Sequence, residues 1–528
     1  MTHRHLLAST APVAALAYAS APLMTREVVD PTLLIPVAEL ETRSADSGAM
    51  LNDWLKVEAI MDGIEGMKLR ASEFLPRFAD ESEPDYKWRQ TCIKFTNVYS
   101  DIVENLAAKP FEQAVQLIND KTDATDDSAP GTGIPEQIKQ FIWDVDGSGS
   151  NLTVFAAHTF LQGVNNAIDW IMVDHDKRDP TVVSIADAKA RGIRPYWTHI
   201  LARNVLDVRS KIVGSEEVLT HVKILEPGDP DHIRIFDRFD SYDARGRLET
   251  EVRWRLYEKR TNNGVGEYVQ VDSGDISIGV IPLVPFVTGR RDGRRWRFHP
   301  PLRAAAELQI NLFRQESGLE FASTMTAYPM LAANGITPPK GADGKPNFKL
   351  AVGPTRVLWS EPNAHNGQSG SWGYVEPGSE SLKFLETRIA NTIQQLRELG
   401  RQPLTASSSN ITVITAAVAA GKAKSAVKAW AYVLKNTLEE ALLLTAMWMG
   451  VEYDPTVHVY TDFDDWMDGA DLDALDKARE RGDISQETYC EELQRRGVLS
   501  SNFTIQRERQ RLLDDLPRPD GLDTREQV

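Results

Sequence analysis

Residues 379–400 read SESLKFLETRIANTIQQLRELG, and this stretch indicates the architecture of the chain most directly. Its leucines and isoleucines recur every three or four positions: Leu382, Leu385, Ile389, Ile393, Leu396 and Leu399. On a helix that spacing forms one apolar stripe, and Ser379 and Gly400 are suited to the N-cap and the C-cap. The stretch therefore predicts a helix about 33 Å long with one face to bury.

Two more long helices are predicted on either side of this one. Pro300 and Pro301 favour a helix start, because proline is tolerated in the first turn, and this helix extends to residue 327. The intervening residues 328–378 are rich in proline and glycine, with strands predicted at 356–359 and 372–375. After residue 400 a short polar loop leads into a third long helix that ends at Gly450.

The first half of the chain changes character near residue 206. Residues 1–49 are expected to form a flexible arm: the apolar start resembles a secretory signal, but polar residues and a proline interrupt it. Helical patterns then extend to about residue 205, with helices predicted at 86–106 and 152–170. From 206 to 299 apolar and polar residues alternate between turn signals such as Gly228-Asp229-Pro230, which predicts an antiparallel sheet. The fold class is therefore predicted to be α+β.

Composition narrows the class of protein. With 528 residues the chain is long enough for about three or four domains, and its 42% hydrophobic and 26% charged residues are typical of a folded protein. No uninterrupted apolar run approaches the length of a membrane span, so no membrane contact is predicted. The only cysteines, Cys92 and Cys490, lie far apart, which argues against a disulfide framework and a cysteine zinc site and suits a reducing cytoplasm.

The charge balance is acidic and uneven. The formal net charge is −17, and residues 451–528 contribute 20 acidic and 10 basic side chains to it. Tight binding to the DNA backbone depends on lysine and arginine, so the overall sign is wrong for a protein that grips DNA. The same sign suits a surface past which DNA slides, because like charges prevent sticking.

Motifs for catalysis or metal binding are weak. Residues 144–151 resemble a calcium loop, but Phe155 stands where a glutamate ligand is required, so a turn with Ser150 or Asn151 capping the next helix is favoured. Residues 421–425 resemble a phosphate-binding loop, but Ala416 and Ala423 stand where the motif requires a glycine and a serine or threonine. We predict no catalytic residue, no metal and no cofactor, although a paired-carboxylate site is left open.

One basic cluster interleaves arginine with aromatic residues. Its basic members are Arg290, Arg291, Arg294, Arg295 and Arg297, with Trp296 and Phe298 among them. Such a cluster is suited to nucleic-acid contact. The favoured alternative is pairing with carboxylates of the same chain or of a neighbouring subunit.

Several short motifs, taken in order, resemble one known family. They include EFLP at 73–76, YKWR at 86–89, DVDG at 144–147, RPYW at 194–197, PLVPF at 282–286, ELQIN at 307–311, YPML at 328–331 and GDISQE at 482–487. Over roughly residues 50–500 the chain resembles the portal proteins of tailed double-stranded DNA bacteriophages, in a portal-like group long described as a domain of unknown function. No single motif is decisive; their order and spacing carry the resemblance.

The resemblance implies a phage portal fold and a non-enzymatic ring, usually of twelve subunits, with wing, stem, clip and crown. The implied parts are a wing at 50–299, stem helices at 300–327 and 379–400, a clip at 328–378, a tunnel loop with its following helix at 401–450, and a C-terminal wing and crown at 451–528. Such a ring is located at the unique capsid vertex of the virion and is assembled in the host cytoplasm. The implied partners are the terminase, a tail adaptor, the major capsid protein, with a scaffold as a further option, and the double-stranded DNA that passes through during packaging and ejection.

Individual contacts follow from the same resemblance. The tunnel loop would present short polar side chains to the channel: Thr405, Ser407, Ser408, Ser409 and Asn410. Lys422 and Lys424 would follow on the next helix, where DNA contact and simple exposure are equally open. Lys340, Lys345 and Lys349 would lie in the clip, facing the terminase or the adaptor. The alternatives to a portal are a multidomain hydrolase and another structural adaptor of the virion.

Overall fold

The computed structural model has an α+β fold. It describes residues 34–118, 133–176, 191–242, 248–262, 265–327, 330–334, 371–375, 379–399, 413–461 and 469–495, with positions 499, 505, 508, 509 and 511 beyond them. Most buried apolar side chains belong to one contiguous core, which extends from Met50 to Val459 and joins the first half of the chain to the last long helix.

The N-terminal half begins with a series of helices. They are α1 (Val37–Leu40), α2 (Ala45–Met61), α3 (Gly63–Leu69), α4 (Ala71–Phe74), α5 (Glu83–Thr91), α6 (Val98–Ala108), α7 (Glu136–Phe141) and α8 (Leu152–Asn166). Side chains of Ser44, Ser82, Asn97 and Asn151 accept hydrogen bonds from the first turns of α2, α5, α6 and α8. The expected capping of α8 by Asn151 is thereby confirmed.

Two predicted helix boundaries are wrong for local reasons. The single helix expected at 86–106 is two helices, because Asn97 starts a new one after the irregular segment 92–97. The helix expected at 152–170 ends at Asn166, since Ala167 takes a left-handed conformation with φ 72° that stops the helix. The chain then continues as a buried strand within the region expected to be helical.

Two sheets dominate the β structure. The larger, antiparallel sheet contains β1 (Leu34–Pro36), β5 (Val205–Val213), β6 (Glu216–Glu226), β7 (Asp229–Tyr242), β8 (Leu248–Asn262) and β9 (Val265–Ile276), in the order β1-β9-β8-β7-β6-β5. The smaller sheet has β3 (Ile168–Asp174) between β4 (Tyr196–Ile200) and β10 (Leu283–Val287). Antiparallel strands are present in the predicted region 206–299, and three strands of these two sheets, β1, β3 and β4, lie before residue 206. A two-residue pair joins β2 (Gln116–Leu117) to β15 (Val457–His458).

The flexible arm expected at residues 1–49 is wrong for residues 34–49, and residues 1–33 lie outside the described residues. Residues 34–36 pair with β9, and Glu41 lies 2.7 Å from Lys259 and accepts a hydrogen bond from the Tyr268 hydroxyl. Val37, Leu40 and Tyr268 pack together with other apolar residues in a small second core on this face of the sheet. Burial of these apolar side chains fixes a segment that has no periodic pattern of its own.

Three long helices follow a short arginine-containing hairpin of β11 (Arg290–Arg291) and β12 (Phe298–His299). They are α9 (Arg303–Ala327), α10 (Ser379–Leu399) and α11 (Val413–Met449), with β13 (Met330–Asn334) and β14 (Ser371–Val375) paired antiparallel between the first two. The predicted strand at 372–375 is confirmed, and the one at 356–359 lies outside the described residues. Two smaller helices, α12 (Gly469–Glu480) and α13 (Gln486–Arg495), complete the described chain.

The end of α11 is fixed by its sequence. Gly450 adopts φ 66°, and the amides of Gly450 and Val451 donate to the carbonyls of Met447 and Ala446. This double hydrogen bond satisfies carbonyls that a helix end otherwise leaves unpaired, and glycine adopts the required conformation without strain. The predicted helix end at Gly450 is confirmed.

Candidate functional site

The most distinctive feature of the molecule is a stalk, which we define as α9, β13, β14 and α10. The two helices run antiparallel and continue into the two strands, and the Thr392 hydroxyl donates to Oε1 of Gln315 at 3.0 Å between them. Along the predicted apolar stripe of α10, Leu396 is fully buried and Ile389 and Ile393 are half-buried, whereas Leu399 is exposed. The stripe therefore packs inward as predicted, except at its C-terminal end.

The stalk is anchored to the body through the start of α6. Oε1 of Gln309 accepts hydrogen bonds from the amides of Val98 and Tyr99, at 3.1 and 3.0 Å. The carboxylate of Glu316 accepts from the amide and the hydroxyl of Thr96, at 2.8 and 2.6 Å. The first amides of a helix have no partner within that helix, so these side chains of α9 complete the N-terminus of α6. Both are buried, and the anchor is therefore specific.

A groove lies where the stalk leaves the body. Its volume is about 210 Å³, and its lining combines apolar and charged side chains: Lys94, Glu316, Leu319, Glu320, Glu386, Ile389, Ala390 and Ile393. Glu320 and Glu386 are exposed at its rim, and neither forms an ion pair with the part of the chain that the structure describes. The groove thus has an apolar floor and a charged edge on which Glu320 and Glu386 outnumber Lys94, a combination that sequence periodicity did not reveal.

The predicted arginine cluster forms a compact loop, which we call the arginine hairpin (residues 290–299). Arg291 holds it closed: its guanidinium bonds both carboxylate oxygens of Glu217 at 2.7 Å and the carbonyls of Arg294 and Arg295 at 2.9 Å. Its guanidinium also lies 4.8 Å from the centre of the Trp296 ring. Hydrogen bonding from Arg291 lowers the pKa of Glu217, so this carboxylate stays ionised and the pair stays charged.

The five arginines have different surroundings. Arg295 forms an ion pair with Asp46 at 2.8 Å, so this residue and Arg291 pair within the chain. Arg290 and Arg294 are exposed and Arg297 is half-exposed, and none of the three forms an ion pair within the described ranges. Arg291 and Arg295 thus follow the favoured intrachain interpretation, while the other three remain available to an outside partner.

The other predicted contact residues are placed only in part. Lys422 and Lys424 belong to the N-terminal third of α11. The tunnel-loop residues Thr405, Ser407, Ser408, Ser409 and Asn410 lie outside the described residues, and so do Lys340, Lys345 and Lys349.

A buried ionisable cluster was missed in the sequence. Asp169 on β3 is completely buried, and its Oδ2 lies 2.6 Å from Nε2 of His199 on β4. The His158 ring of α8 meets the His199 ring edge-on, with centroids 4.7 Å apart. Burial raises the pKa of Asp169 and, together with the neighbouring His199, lowers that of His158. The available signal was an aspartate inside an otherwise apolar strand, which requires a buried partner.

Among the described residues, no group of three or more histidine, cysteine or acidic side chains is arranged to hold a metal ion. None of the described helices is both long and apolar enough to cross a membrane.

Comparison with known proteins gives one family match. A family model described as a domain of unknown function (DUF4055) matches residues 301–449, the part of the chain from the start of α9 to the end of α11. This is less than a third of the chain. No curated protein matches the chain significantly.

Several solved structures align with most of the chain at low similarity. A chain in the virion of a native gene transfer agent particle aligns with a TM-score of 0.35 and 11% identity, covering 87% of this chain and 100% of that one. A chain in the neck of the native particle, computed with C12 symmetry, gives 0.35 and 12%, covering 80% and 90%. One in the neck of the empty particle, computed with C6 symmetry, gives 0.36 and 12%, covering 80% and 91%. These TM-scores do not establish a shared fold.

Proposed function

We propose that the chain is the repeating subunit of a portal, the ring at the capsid vertex of a tailed bacteriophage through which double-stranded DNA enters and leaves. The observation that carries this proposal is the stalk. Its two helices run antiparallel, and the paired strands β13 and β14 lie at one end of them. At the opposite end, buried side chains of α9 hydrogen-bond to the body. The order of the sequence motifs supports the same conclusion.

A stalk of this kind is suited to forming a wall together with copies of itself. At 25 residues α9 is about 37 Å long, enough to line a channel but not to enclose one. Phe384 and Leu399 of α10 are exposed in the single chain, and a neighbouring subunit that covers them would remove apolar surface from water. Identical subunits related by rotation about one axis close into a ring and leave a central hole.

The parts of the chain then take distinct roles in the ring. The helices and sheets of 50–299 would form the wing, α9 and α10 the stem, the insertion between them the clip, and residues 451–528 the remaining wing and crown. The clip, with Lys340, Lys345 and Lys349, would meet the terminase motor and later the tail adaptor. The wing would face the major capsid protein. The ring itself carries out no catalysis in this scheme.

The channel surface is proposed to repel DNA more than it binds it. The chain is acidic, with net charge −17, and residues 405–410 between α10 and α11 would form a tunnel loop of short polar side chains. Hydroxyl and amide groups can hydrogen-bond to phosphate without an ion pair, so DNA would be contacted but not held. Lys422 and Lys424 would follow this loop at the channel.

The mass of the assembly tests the proposal directly. We expect purified full-length protein to form a ring close to twelve times the 58.9 kDa of one chain, with a central hole in negative-stain images. Rings of neighbouring subunit number also agree with the proposal. A protein that stays monomeric or dimeric under all solution conditions would contradict it and would favour the hydrolase alternative.

The tunnel-loop assignment has its own test. Replacing Ser407, Ser408 and Ser409 together with arginine is expected to reduce DNA packaging at least tenfold, because three added positive charges per subunit, about 36 in a ring of twelve, would bind phosphate tightly. Ring assembly should be unchanged, since these residues are proposed to lie at the channel and not between subunits. Packaging is measured as DNA protected from nuclease, with the triple serine-to-threonine variant as control. Normal packaging by the arginine variant would show that the loop does not face DNA.

A further inference from the structure

The strongest unexplained surface is the arginine hairpin, which is rigid and carries unpaired charge. The contacts of Arg291 with Glu217 and with two carbonyls fix its backbone. The Trp296 indole donates to the Ser210 hydroxyl at 2.8 Å and stacks on Trp170 at 5.5 Å. This framework presents Arg290 and Arg294 outward without an ion-pair partner among the described residues. A rigid display of free arginine on an acidic protein suggests a binding element.

A complementary surface is present on the same chain. The groove beside the stalk has Leu319, Ile389 and Ile393 on its floor and the unpaired carboxylates of Glu320 and Glu386 at its rim. Its lining also includes the exposed Lys94, so the two rim carboxylates exceed the cationic charge of the lining by one. An arginine side chain combines an apolar stem with a cationic head that binds carboxylate through two hydrogen bonds. A groove of about 210 Å³ with this lining fits such a side chain in both respects.

The two surfaces of one molecule cannot meet. The hairpin ends just before α9 begins at Arg303, whereas Leu319 and Glu320 lie 16 and 17 residues further along that helix. Sixteen helical residues separate them by about 24 Å, several times the reach of an arginine side chain. An arginine of the hairpin therefore cannot enter the groove of its own chain and could enter only that of another copy.

We propose that the arginine hairpin of one subunit docks into the groove of a second copy of this chain, with Arg290 and Arg294 pairing to Glu320 and Glu386. The two surfaces are different, so the contact is head-to-tail, and repeated rotation closes such contacts into a ring. This inference rests on the proposed function, because it names the interface through which the ring forms.

Charge exchange between the two surfaces tests the contact. We expect the double variant Arg290→Glu with Arg294→Glu to raise the protein concentration required for ring formation at least tenfold, because like charges then face each other. Adding Glu320→Arg and Glu386→Arg in the same chain should restore assembly to within about threefold of the wild type. The readout is the mass distribution of full-length protein against concentration, at fixed moderate salt.

Controls separate this effect from unfolding and from net charge. All four positions are exposed, so the thermal unfolding midpoint should stay within a few degrees, and the milder Arg290→Gln with Arg294→Gln should weaken assembly by a smaller factor. Lys139→Glu with Lys477→Glu makes the same change in net charge on exposed helix positions and should leave assembly unchanged.

Each of the remaining outcomes would contradict the proposed contact. Normal rings from the glutamate hairpin variant would overturn it, and a loss of packaging with intact rings would assign these arginines to DNA instead. A loss of rings without rescue by the exchange would overturn the groove as the partner. If the wild type forms no ring at all, the proposed function fails, and this contact fails with it; in the other cases the portal proposal stands.

Discussion

Replacing Trp197 with alanine is expected to lower the free energy of unfolding by about 3–5 kcal/mol. The side chain is only 1% exposed and contacts the edges of the Phe141 and Phe155 rings at centroid distances of 5.6 and 5.5 Å. Its indole also donates to the Thr445 hydroxyl of α11 at 2.8 Å. The substitution would leave a cavity at the junction of β4, α7, α8 and α11, which the surrounding helices cannot fill by local movement.

Trp143→Ala is the matched control for this prediction. Trp143 follows α7, the helix that carries Phe141, and is 74% exposed, so its removal should change the free energy of unfolding by less than about 0.5 kcal/mol. Urea denaturation followed by far-ultraviolet circular dichroism would measure both variants. Equal losses of stability in the two would contradict the placement of Trp197 in the core.

Glu316→Ala is expected to lower the free energy of unfolding by about 1–2 kcal/mol, because it removes a buried carboxylate that accepts two hydrogen bonds from Thr96. Thr96 itself is exposed, so water can replace part of this hydrogen bonding in the variant. Since the anchor joins the stalk to α6, we also expect faster amide hydrogen exchange at 98–100, the first turn of that helix.

Glu307→Ala tests whether burial is the cause. Glu307 lies on the same helix and forms an ion pair with Lys56 at 3.2 Å, but its side chain is 52% exposed. Exposed pairs contribute about 0–1 kcal/mol, so this variant should be close to the wild type in both measurements. A larger loss for Glu307→Ala than for Glu316→Ala would show that the anchor lies elsewhere.

The periodicity of apolar residues predicted those elements that are determined by local sequence signals. The apolar stripe of α10, the end of α11 at Gly450 and the alternating strands near β7 and β8 are all determined by neighbours within a few residues. The failures have local causes too. Nothing in the composition around Ala167 indicates a left-handed residue. The segment 34–41 is ordered by its contact with β9, more than 200 positions away.

The candidate site was less predictable, because its parts are distant in the sequence. Gln309 reaches Val98 across 211 positions and Trp197 reaches Thr445 across 248. The arginine cluster was visible as a run of charge, but the division between Arg291, which is paired, and Arg290, which is not, depends on Glu217. Composition alone predicts the number of charges and not their partners.

The position of the anchor gives the stalk a mechanical property. Glu316 lies 11 residues before the end of α9. This length makes a lever arm of about 16 Å beyond the anchor. A tilt of about 5° at the anchor then displaces the end of α9 by about 1.4 Å, so a small load there acts as a torque on the first turn of α6.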